Sequence, residues 1–150
     1  MILLKIMLVL AGAFALYWQI RIKQVMPLVI TIGMVTGMLT VLVLPGVLQT
    51  SGFIIYLVSV AMVSIYSLTV KGKDTLVRII LVLISGGILA YWLWVLNHWH
   101  GNEILVLLLI PIAILMWILG KVKLKNELGI IILLAADGLA ILVEHLLKSI

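Results

Sequence analysis

Six apolar stretches, at approximately 2–20, 25–44, 53–70, 75–96, 104–120 and 128–147, take up nearly the whole chain, and none holds more than two charged residues. An α-helix rises about 1.5 Å per residue, so roughly 20 apolar residues cross a hydrocarbon core of about 30 Å. Transmembrane barrels are the other way to satisfy every backbone group in lipid, but their strands alternate polar and apolar residues. A run such as Ile104-Leu105-Val106-Leu107-Leu108-Leu109-Ile110 does not alternate. Composition agrees: 66% of the 150 residues are hydrophobic and 10% charged, against roughly 45–50% and about 25% in soluble domains. The expected fold is an all-α integral membrane protein, a bundle of six transmembrane helices with short loops, forming one polytopic domain over 1–150. Lys5 ahead of an apolar run, with Ala13-Phe14-Ala15 behind it, has the outline of a signal peptide. The run continues to Arg21, so a permanent first helix is expected.

Loop charges predict an orientation. Arg21 and Lys23 lie in the first connection, Lys71, Lys73 and Arg78 around the third, and Lys121, Lys123 and Lys125 in the fifth, together eight of the ten basic residues. The second connection is uncharged and the fourth holds Glu103 with two histidines. By the positive-inside rule the odd connections face the cytoplasm, which puts both termini outside, in the cell (cytoplasmic) membrane. The net charge of +5 is therefore read as a topology signal, and no nucleic-acid partner is expected. Basic pairs recur every 50 residues, but two spans plus short loops repeat near that length without common ancestry.

The chain has no cysteine, which excludes disulfides, thiolate zinc sites, iron–sulfur clusters and thiol nucleophiles. No nucleotide-binding loop, nucleophile elbow or paired-carboxylate motif is visible, and the connections are too short to house soluble-type catalysis. An enzyme is not the expectation.

Asp137, in Ala135-Ala136-Asp137-Gly138, falls about halfway along the last apolar stretch. A central aspartate costs about 2.5–3.5 kcal/mol to insert, while each central Leu, Ile, Val or Phe returns about 0.3–0.6. Twelve Leu, Ile and Val residues in that stretch offset it. The carboxyl still needs an environment, and no Lys or Arg lies at comparable depth. Three are open: a neutral hydrogen-bonded acid, a carboxylate in a water-filled cavity, or a pair with a cation of another subunit. Glu144, seven residues on, shares nearly the same helix face, with Lys148 a further four residues away.

Gly33-Met34-Val35-Thr36-Gly37 is a GxxxG motif with Thr36 and Thr40 close to one face, and such small residues let helices approach in lipid. The expectation is a packing seam, within the chain or to a partner. Pro111 lies inside the fifth stretch and should free the carbonyl near Leu107 and kink the helix. Trp18, Trp99, Tyr17 and Trp117 sit near span ends as interfacial anchors. His98, His100, Glu103, Glu144 and His145 share one boundary and are candidate ligands for a divalent metal, while His98 and His145 are candidate axial ligands for a b-type haem. Ordinary interfacial residues are the expectation, with no cofactor predicted.

The leading functional expectation is a non-enzymatic accessory, assembly or sensory subunit, in a homo- or hetero-oligomer with other membrane proteins in lipid. The alternative is a small proton- or ion-coupled transporter centred on Asp137. An interfacial enzyme or haem-bearing electron-transfer subunit ranks third.

Overall fold

Backbone groups in an apolar chain must find partners within the chain, and helices do this locally. The computed structural model describes residues 2–69, 74–98, 104–120 and 123–149, and every regular element among them is helical. The order is α1 (Ile2–Ile22), α2 (Val25–Val43), α3 (Val47–Thr69), α4 (Thr75–Leu96), α5 (Ile104–Leu107), α6 (Leu109–Gly120) and α7 (Leu128–Ser149). Five of these, α1, α2, α3, α4 and α7, are long and apolar enough to cross a membrane.

Two boundaries correct the sequence reading. The apolar stretch 104–120 is not one continuous helix: it breaks at Leu108 into the four-residue α5 and the twelve-residue α6. Pro111 supplies the reason, since it has no N–H to give the Leu107 carbonyl and its ring crowds that turn. Regular bonding resumes with Ile112 N–H donating to the Leu108 carbonyl at 3.3 Å. Second, α3 begins at Val47 rather than near residue 53, so the connection after α2 shrinks to Leu44–Gly46. Gly46 turns the chain with φ +68°, a left-handed conformation that glycine adopts without penalty. The polar residues that read as loop are accommodated by backbone carbonyls: Ser51 Oγ donates to Val47 at 3.1 Å and Gln49 Nε2 to Val41 at 3.5 Å.

The helices associate chiefly as α2 with α3, α3 with α4, α1 with α7, and α4 with α6. Ile30, Met34, Val60, Ile84 and Leu133 are fully enclosed between them. Leu10, Ile20, Met26, Ile65, Leu115 and Leu139 point outward, the apolar exterior a lipid-facing bundle requires. Close approach depends on glycine in two places. At Gly37 an added Cβ would lie 2.6 Å from the Tyr56 nitrogen and 2.7 Å from the Gly52 carbonyl oxygen. At Gly129 it would lie 2.9 Å from the Ala15 carbonyl oxygen, so α1 and α7 are also in near-backbone contact. The latter contact is reinforced by Trp18 Nε1 donating to the Lys125 carbonyl at 2.7 Å and Gln19 Nε2 to that of Asn126 at 3.1 Å. These contacts join α1 to α7 toward the end carrying Arg21, Lys23, Lys123 and Lys125.

Candidate functional site: a cavity ending at Asp137

Asp137 finds its partner on α3. Tyr56 Oη donates to Asp137 Oδ2 at 2.5 Å across the bundle. The two helices run in opposite directions and place these residues at similar depth from one end. Tyr56 is nine residues past the start of α3 and Asp137 twelve before the end of α7, roughly 14 and 18 Å at 1.5 Å per residue. The aligned Gly37 is what lets α2 seat against α3 directly beside Tyr56. Tyr56 is buried, and Asp137 is only partly so.

The remaining surface of Asp137 faces a cavity of about 500 Å³. Its walls come from Leu8 of α1, Met38 and Leu42 of α2, Phe53 and Tyr56 of α3, Tyr91, Trp92 and Val95 of α4, and Ala140, Ile141, Glu144 and His145 of α7. These residues lie toward one end of the bundle, opposite the end where Gly129 meets Ala15. Asp137 and Tyr56 form the floor. Half-buried Glu144 and exposed His145 lie nearer the end of α7, so the seven-residue spacing does bring both acids onto one wall. Phe53 and Tyr91 each meet Trp92 edge-to-face, with ring centroids 4.8 and 5.3 Å apart and planes at 77° and 75°.

The other sequence candidates are distributed differently. Gly33 and Gly37 both face α3, where a Cβ on Gly33 would strike Ser59 Oγ. Thr40 packs against Gly52, whereas Thr36 is exposed and serves through its carbonyl, which accepts from Thr40 Oγ1 at 2.8 Å. Thr36 is thus not part of the α2–α3 contact, because α2 is rotated to aim its glycines at α3. His98 is exposed and does not line the cavity. His100 and Glu103 lie outside the described residues, as do Lys71, Lys73, Trp99, Lys121 and the side chain of Lys148. Among the described residues no three His, Asp or Glu side chains gather as a metal site.

Sequence reasoning missed Tyr56 and the aromatic wall. The available signal was depth: a tyrosine inside an apolar stretch, level with a lone aspartate, is a hydrogen-bond donor in a solvent that offers none. Also missed was Glu127, read as part of a polar connection but buried just ahead of α7. Comparison with protein-family models, curated proteins and solved structures returned no match for this chain.

Proposed function

We propose that the chain is a small proton- or ion-coupled membrane transporter that works through Asp137. The observation that carries this reading is the cavity that the Asp137 carboxyl lines, whose other lining residues lie toward one end of the bundle. A carboxyl that lines a cavity can exchange a proton or another cation with its contents, which a sealed structural acid cannot. The Tyr56 hydroxyl holds it in place and accommodates its charge. A subunit that acts only through helix contacts needs no such cavity, so this feature favours transport over the accessory role.

In this proposal α5 and α6 together form a sixth, broken crossing of about 25 Å, from 104 to 120 at 1.5 Å per residue. Non-helical backbone at membrane depth is tolerated where protein covers it, and Leu107 is fully buried at the break. The basic end faces the cytoplasm of a cell membrane and the cavity opens outward. This is one conformation of an alternating cycle, and opening the other end requires α1 and α7 to part at Ala15 and Gly129. The test is purified protein reconstituted in liposomes under an imposed proton gradient, with internal pH followed by a dye. Flux above that of protein-free vesicles, abolished by Asp137→Asn at unchanged protein content, is the expected result. Wild-type flux equal to empty vesicles would return the accessory-subunit reading to first place.

A further inference from the structure

We propose that the Asp137 cavity binds a monovalent organic cation bearing apolar substituents, an inference that rests on the reading of Asp137 as the working site. The cavity's volume of about 500 Å³ falls within the roughly 300–1,000 Å³ typical of small-molecule sites. Asp137 lies deeper along α7 than Glu144 and His145, which also line the cavity, and no lysine or arginine lines it. At that depth an anion would meet the Asp137 carboxyl and no lysine or arginine. At the floor, Tyr56 occupies Oδ2 of Asp137, and among the described residues no other hydrogen bond reaches that carboxyl. Its second oxygen is left for an occupant.

The walls decide between a bare ion and an organic one. A hard divalent metal requires about six oxygen ligands or retained waters, whereas this floor offers one carboxylate and one phenol beneath Phe53, Tyr91, Trp92, Leu8, Met38 and Ile141. Aromatic rings attract cations through their faces, most strongly for tryptophan. Phe53 and Tyr91 stand nearly perpendicular to Trp92, so the three rings form corners instead of a flat stack, the arrangement that encloses a quaternary or alkylated cation. The apolar residues between them take its substituents, burial that a small hydrated ion cannot use.

Tetraphenylphosphonium and tetraphenylborate, alike in shape and opposite in charge, separate recognition from partitioning. Equilibrium dialysis of the purified protein in detergent should show saturable phosphonium binding, competed by benzyltrimethylammonium and not by the borate. Asp137→Asn should weaken it roughly tenfold or more, as loss of a buried ionic contact does. Trp92→Ala should weaken it while Trp92→Phe retains most of it. Ala140→Phe, which fills the cavity and leaves every charge in place, should abolish binding. Equal binding of both probes, or phosphonium binding that survives Asp137→Asn and Ala140→Phe in folded protein, overturns the proposal. If phosphonium fails to bind while Asp137→Asn still stops proton flux in liposomes, the ligand class falls and the role of Asp137 stands. If both variants leave that flux untouched, the assignment of Asp137 as the working site falls with it.

Discussion

A carboxyl group in hydrocarbon is tolerated only with a partner, and Asp137 has one neutral donor in Tyr56. Asparagine at 137 keeps an oxygen that accepts from the Tyr56 hydroxyl, so Asp137→Asn should accumulate and resist heat much as the wild type does. Leucine accepts nothing and strands the buried hydroxyl, at a cost of about 1–3 kcal/mol. Tyr56→Phe should destabilise by a similar amount by removing the donor. Thermal unfolding in detergent would rank the three, and a destabilisation by Asn as large as that by Leu would show that ionisation, not hydrogen bonding, holds the fold at this point. The distinction matters for function, because a variant that folds normally yet stops flux isolates the exchangeable charge as the cause.

At the level of the helices, the α2–α3 hairpin is the most closely joined unit, with Gly37, Gly52, Gly33 and Ser59 along its contact. A methyl group at Gly37 meets backbone, which cannot rotate away, so Gly37→Ala should push the helices apart and cost about 1–3 kcal/mol. Because Tyr56 sits on that contact, the same change should also loosen its bond to Asp137. Gly86 on α4 is the matched control: nothing lies within 4 Å of a Cβ placed there, and removing a helix-interior glycine should be neutral or stabilise by up to about 1 kcal/mol. Denaturation in mixed micelles would measure both, and equal effects would mean that the contact is not as close as the geometry requires. The packing thus ties the position of the Asp137 donor to a glycine on a third helix.

For the molecule as a whole, the proposed arrangement of six crossings with the basic end inside makes a direct labelling prediction. The chain has no cysteine, so single cysteines report without background. At Lys23 and Asn126 they should be shielded from an impermeant thiol reagent applied outside intact cells, and at Val47 and Asn97 they should react. Reaction at all four from one side would sink the six-crossing arrangement. Much of this arrangement is written in one dimension. Six hydrophobic stretches, the alternating loop charge and the isolated Asp137 follow from what water, lipid and ions demand of each segment alone, and five of those stretches are continuous helices of the required length. Local signals also located the break, because Pro111 acts on its own preceding turn. Helix rotation and partnering are different. Inside lipid every apolar face is equally acceptable to the solvent, so hydrophobicity cannot say which face meets which neighbour. Only the tertiary packing of Gly37 against α3, of Gly129 against Ala15, and of Tyr56 across to Asp137 decided that this aspartate lines a cavity whose walls lie toward one end of the bundle.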